Sequence, residues 1–216
     1  MRTVITLVMI LRSHMVLLDN LPKQLKATDP EDKRIISGVS WEQYDAFLSQ
    51  LGDSPWYRVT YIDGLLEIMA PSRRHETYKT IIGSLLEDYF KETRTRYFPL
   101  GSTTLRQEKN LGGTEPDESY CIGTEKEFPD LAIEVVVTSG GIDKLEVYKR
   151  LGVREVWFFK NNHFDVYHLR GEAYEHIQKS ELLPDLDLGM LGKYATASDP
   201  LEAALEFRDK LREARG

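Results

Sequence analysis

Leu131-Ala132-Ile133-Glu134-Val135-Val136-Val137 is the stretch on which the fold turns. A run this apolar and β-branched fits a strand covered on both faces of a sheet. A carboxylate in its middle is costly unless a metal ion or a lysine meets it there. Strand alternation puts Glu134 on the face it shares with Ala132 and Val136. Two Pro-Asp pairs, Pro116-Asp117 and Pro129-Asp130, precede the stretch, and a helix carrying Lys144 follows it. Glu134 is therefore expected to be a metal ligand.

Working outward, Thr138-Ser139-Gly140-Gly141 forms a flexible corner, and Asp143 with Glu146 can cap the helix, which ends at Gly152. Lys144 then falls in the first turn, where the helix dipole disfavours a cation. A nearby carboxylate cluster would supply the reason. Glu155 to Phe159 and His163 to Leu169 read as two further strands joined by Asn161-Asn162, and a charged helix is expected from about Pro200 to Arg215.

Upstream, Ser40-Trp41-Glu42-Gln43 fits a capping box, opening a helix that runs to about Leu51 and stops at Gly52. Trp56 to Ile62 and Leu65 to Met69 predict a hairpin around Asp63-Gly64. Glu67 shares a strand face with Leu65 and Met69, as an edge residue or one drawn towards a site. Pro71-Ser72 opens the longest helix, whose stripe of Tyr78, Ile81, Ile82, Leu85, Leu86, Tyr89 and Phe90 faces a core. His75 extends that stripe to the helix mouth, and Glu76 beside it complements the dipole. A strand near Thr103 to Gln107, a turn at Gly112-Gly113 and a strand near Asp117 to Ile122 complete the pattern. The order from residue 72 to 160 becomes helix, three strands, helix, strand. It predicts an α/β fold with a central mixed sheet flanked by helices, the second helix crossing over to the fourth strand. No internal repeat is visible.

The chain has 216 residues, 29% charged and 41% hydrophobic, enough for one full core. Residues 1–35 are expected to be an extension or linker, and 36–216 one domain with its core at about 56–170. The apolar opening Met1 to Leu11 is short for a membrane span and is broken by Arg12 and His14, which favours a strand or poorly ordered extension over a secretion signal. The lone Cys121 excludes an intrachain disulfide, fits a reducing, cytoplasmic setting or indifference to redox state, and has no CxxC partner for structural zinc. A net charge of −7 argues against nucleic-acid binding by the whole surface and leaves room for a local groove.

Asp117 lies seventeen positions before Glu134. If their strands are neighbours, the two carboxylates converge, giving hard oxygen ligands for Mg²⁺ or Mn²⁺ with open positions left for water and phosphate. Such an ion lowers the pKa of bound water and offsets charge at a phosphoryl centre, and an adjacent lysine can orient that water.

By residue types and order, the chain resembles the PD-(D/E)XK nuclease superfamily and, more narrowly over Trp56 to Phe159, the Uma-two type restriction endonuclease family. The resemblance is carried by Tyr61-Ile62-Asp63-Gly64, Leu66 to Ser72, His75-Glu76, Pro116-Asp117, Pro129 to Val135, Asp143-Lys144 through Tyr148, Gly152-Val153 and Glu155-Val156-Trp157. It implies a restriction-endonuclease-like core, with the N-terminal helix and hairpin added, and Mg²⁺- or Mn²⁺-dependent DNA cleavage. Asp117 and Glu134 match the metal-binding acids, and Lys144 the catalytic lysine. The superfamily lysine two places after the acid is Val136 here, and Lys144 fits a position migrated to the following helix. Glu67, His75 and Glu76 are secondary candidates for the metal shell.

Each residue also has a plainer role. Asp117 can shape a turn, Lys144 can be a solvated helix residue, His75 a hydrogen-bonded core histidine and Asp130 a strand starter. Arg73-Arg74 could meet phosphates at the helix mouth or simply be surface. The rival functions are a nuclease-fold module that binds DNA or a protein without cutting, and a structural homodimer joined through Val156-Trp157-Phe158-Phe159. Dimerisation would also suit an enzyme that cuts both strands. A hydrolase using Ser139 or Cys121 lacks a partner motif.

Overall fold

At the hairpin, Asp63 and Gly64 both take positive φ (46° and 82°), the conformation of a two-residue turn whose twist matches the strands it joins. It links β2 (Arg58–Ile62) to β3 (Leu65–Ala70) in the expected antiparallel register, Ile62 opposite Leu65. Asn161 and Asn162, at φ 50° and 63°, make the same kind of turn between β9 (Glu155–Lys160) and β10 (His163–Arg170). The coordinates, a computed structural model, describe residues 24–28, 30–52 and 54–214. The apolar opening and Arg215 lie outside the described residues.

The other elements are β1 (Asp32–Ser37), α1 (Trp41–Leu51), α2 (Arg73–Thr93), β4 (Tyr97–Pro99), β5 (Leu105–Gln107) and β6 (Gly112–Thr114). They are followed by β7 (Glu118–Ile122), β8 (Leu131–Val135), α3 (Lys144–Leu151), β11 (Ala173–Ile177), α4 (Leu188–Ala195) and α5 (Pro200–Glu213). Two sheets result. One is antiparallel in the order β1-β3-β2-β6-β5, and the other runs β11-β10-β9-β8-β7-β4. Only the β8–β9 pair of the second sheet is parallel, and α3 is the crossover between them. The α/β class, the mixed sheet and the crossover agree with expectation.

Several local expectations are corrected. Gly112-Gly113 is not a turn: both residues sit in β6 between β2 and β5, since a chain without side chains can run close under Tyr44. The first sheet therefore takes strands that the simpler three-strand order omitted. Residues 32–35, placed in a linker, open β1, an edge strand whose polar residues hid its pairing with β3. β4, β11 and α4 were likewise not anticipated, being short, polar or, for α4, interrupted by two glycines. β8 ends at Val135, two residues before the apolar run does.

β8 is the hinge of the packing. Leu131, Ile133 and Val135 join the main core with α2, α4, α5 and the neighbouring strands. Ala132, on the opposite face, joins Val147, Tyr148 and Leu151 of α3. Glu134 shares that second face, as alternation demands. A third cluster packs α1 on the antiparallel sheet through Tyr44, Phe47, Tyr61, Leu66 and Ile68. Val156, Trp157 and Phe159, the residues of a supposed subunit interface, are buried in the chain's own cores. Among the described residues no helix is long and apolar enough to cross a membrane.

Packing of α2 on the second sheet strains one carboxylate. Gly83 leaves the space that Glu118 occupies, for a Cβ there would lie 3.0 Å from Glu118 Oε1. Burial pushes the Glu118 carboxyl up to about 7, with Asp117 and Glu87 adding to the effect and Lys79 opposing it. The folded value exceeds the unfolded one, so stability is full below the unfolded value and falls as pH rises through about 7. In chelator at pH 8, Glu118→Gln is expected to raise stability by about 1–2 kcal/mol, a figure reduced for solvent screening, and to change little at pH 4. Urea melts at the two pH values check this, and equal effects at both would refute it.

Candidate functional site

Antiparallel pairing of β7 with β8 sets Glu118 opposite Ile133, which brings Asp117 alongside the residues that flank Glu134. The Asp117 amide donates to the Ile133 carbonyl at 3.1 Å, and the Val135 amide donates to Asp117 Oδ2 at 2.7 Å. The two acids separated in sequence thus share one end of the sheet. Asp117 is 1% exposed and Glu134 7%. Both line a cavity of about 290 Å³ between the two sheets, together with Lys144, His75 and Glu67.

Lys144, the first residue of α3, reaches back over the strand end. Its Nζ lies 3.1 Å from Glu134 Oε1 and donates to Thr114 Oγ1 at 2.9 Å. Thr114 is in turn 3.1 Å from Thr60 Oγ1. The dipole penalty in the first turn is offset by this acidic surrounding. Asp143 caps the helix by accepting from the Leu145 amide, while Glu146 instead pairs with Lys149 at 2.5 Å. One turn on, the Tyr148 hydroxyl donates to the same Glu134 Oε1.

His75 projects from the first turn of α2, whose cap is Ser72. Its Nε2 is 2.8 Å from Asp117 Oδ1, and its Nδ1 lies 2.8 Å from Glu31 Oε1, ion-pair range although off the hydrogen-bond axis. Burial opposes the imidazolium, but Asp117 and Glu31 outweigh it and push His75 up to about 10. The cation is therefore the resting form. Arg58 Nε is 3.9 Å from Asp117 Oδ1.

These neighbours drive the two acids apart. Burial raises Asp117, but the charge of His75, its hydrogen bond to Asp117 and the bond donated by the Val135 amide overcome it, leaving Asp117 below the usual carboxylate range. Burial dominates at Glu134, reinforced by Asp117 and countered by Lys144 and Tyr148, so its carboxyl is raised. Paired groups of opposite displacement are a common mark of sites that do chemistry.

The remaining candidates separate cleanly. Glu67 is buried at the cavity and its Oε2 accepts from the Ile142 amide at 2.9 Å. It pins the corner after β8, where Gly141 has φ 124° and a Cβ would collide with Glu67. Glu76 does not line the cavity; it holds Arg58 at 2.8 Å and Lys79 at 3.5 Å. Asp130 accepts from the Ile122 amide at 2.8 Å and pairs with Lys126, a loop anchor away from the cavity. Arg73, Arg74, Ser139 and Cys121 are also outside it.

Sequence reasoning missed Glu31, Arg58, Glu115, Thr114 and Tyr148. Glu31 and Glu115 add carboxylates to the cavity wall, and burial raises the Glu115 carboxyl despite its bond from Thr104 at 3.1 Å. Only Tyr148 carried a signal, four residues after Lys144 and so on the same helix face.

Among the described residues, no three His, Cys, Asp or Glu side chains gather as a ready metal cluster. The donor chemistry still fits a hard divalent ion, because Mg²⁺ is commonly held by one or two carboxylates with water and phosphate oxygens completing its shell. Tyr148 and Lys144 both meet Glu134 at Oε1, and Glu134 itself lines the cavity.

The family model for Uma2, described as a putative restriction endonuclease, matches residues 41–192. No curated protein matches the chain.

Proposed function

Because the chain belongs to the Uma2 family of restriction-endonuclease type, we propose that it is a divalent-metal-dependent endonuclease acting on DNA. The observation that carries this reading is the convergence of Asp117, Glu134 and Lys144 on one buried cavity, with Lys144 Nζ 3.1 Å from Glu134. Asp117 and Glu134 would hold Mg²⁺ or Mn²⁺. Once bound, the ion would supply an activated water and offset charge on the phosphate.

The chain's own residues supply the rest. His75, the Val135 amide and Lys144 hold the Asp117 carboxyl below the usual carboxylate range, which favours its anionic form at the site. Lys144 is held by Thr114 and Glu134 at the cavity wall, where its ammonium can steady a phosphate oxygen or orient water. The cavity is walled by Glu31, Glu115 and Glu67 as well, and this acidic lining favours a cation over bare phosphate.

Supercoiled plasmid incubated with the full chain and Mg²⁺ or Mn²⁺ is expected to be nicked, and EDTA is expected to stop the reaction. Cleavage that is unchanged by the chelator would sink the metal reading. Binding of the plasmid without any nicking would instead favour a non-cutting module.

A further inference from the structure

We infer that Tyr148 is a positioning residue that anchors Glu134 for the metal, leaving Lys144 free to serve the substrate; this rests on the metal reading above. Tyr148 and Lys144 stand one turn apart on α3 and meet the same oxygen, Oε1 of Glu134. Their surroundings differ. Tyr148 is fully enclosed among Ala132, Val147, Leu151 and Val156, and among the described residues its hydroxyl hydrogen-bonds to Glu134 alone. Lys144 lines the cavity, carries a flexible stem and has a second acceptor in Thr114 at 2.9 Å.

A packed ring with one bond is a fixed support; a long chain with two acceptors can exchange one of them for a ligand oxygen. Glu134 needs such a support because it is the penultimate residue of a strand that ends at Val135. With Oε1 held by the phenol, Glu134 keeps its place at the cavity wall whether or not Lys144 turns away. Partners of this kind orient a ligating carboxylate much as hydrogen bonds orient a ligating histidine.

Calorimetric titration of the full chain with Mn²⁺ separates the roles. Tyr148→Phe keeps the ring and loses the donor, and its Mn²⁺ affinity is expected to fall about tenfold to a hundredfold. Lys144→Met is expected to keep Mn²⁺ affinity near wild type while losing nicking. 4-Aminophenylalanine at position 148, with the same shape and an N–H donor, is expected to restore affinity, which also guards against a poorly folded Phe variant. Unchanged affinity in Tyr148→Phe, or loss in Lys144→Met with none in Tyr148→Phe, would overturn the inference alone. No Mn²⁺ uptake by the wild type would overturn the metal reading and the inference with it.

Discussion

Glu134→Gln is expected to slow plasmid nicking by about a thousandfold, equivalent to about 4 kcal/mol of transition-state stabilisation, while leaving the fold intact. The amide keeps an oxygen for the Tyr148 hydroxyl and nearly the same volume against Ala132 and Tyr148. What it removes is the negative charge proposed to hold the metal, and with it the ion-pair partner of Lys144. Burial already disfavours charge at this position, so the neutral side chain costs the folded state little. Asp117→Asn contrasts with it. The same loss of rate is expected, but stability should also fall by about 3 kcal/mol, because a buried imidazolium loses one of its two carboxylates. Glu31 remains beside His75 Nδ1 and limits the damage. Nicking rates with thermal melts in chelator distinguish the pair. Near-wild-type rates in both variants would remove the acids from the chemistry.

Glu155→Ala is expected to lower stability by about 3–5 kcal/mol without touching the cavity. Glu155 opens β9 and is completely buried. Its carboxylate accepts from Trp157 Nε1 at 2.9 Å, His168 Nδ1 at 3.1 Å, Ser180 Oγ at 2.7 Å and the amides of Glu181 and Leu182 at 2.7 and 3.0 Å. Three of these five donors tie the segment after β11 to the start of the parallel strand, while Trp157 belongs to that strand and His168 to β10. Alanine would leave the buried donors of Trp157, His168 and Ser180 without this acceptor, and each unmet buried donor costs more than its bond contributed. Glu155→Gln, which keeps one acceptor oxygen, should lose clearly less. The urea midpoint at constant slope measures the effect, and a change under about 1 kcal/mol would refute this account.

Elements whose identity depends on neighbours in sequence were legible before folding. The Asp63-Gly64 turn, the Ser40 capping box with Gln43 and the stripe of α2 all form as expected, since each is specified within a few residues. The same holds for Glu134: an acid inside an apolar strand announces that something must neutralise it, and Lys144 is there. By contrast β1 and β6 are strands only because β3 and β2 lie beside them, and nothing local in Asp32 to Ser37 or in Gly112-Gly113 declares a partner.

Sequence alone determined the hairpin, the helices around the cavity and the α/β order, and it singled out Asp117, Glu134 and Lys144, which the fold brings to one cavity. Tertiary structure decided their environment. It put Glu31 against His75 across more than forty positions, set His75 beside Asp117 so that each shifts the other towards its charged form, set Tyr148 behind Glu134, and took Glu76 out of the cavity to hold Arg58. Turns and caps are written in short-range geometry and are therefore visible in a string of residues. Charge states depend on burial and on partners distant in the chain, and those exist only once the sheets have closed on each other.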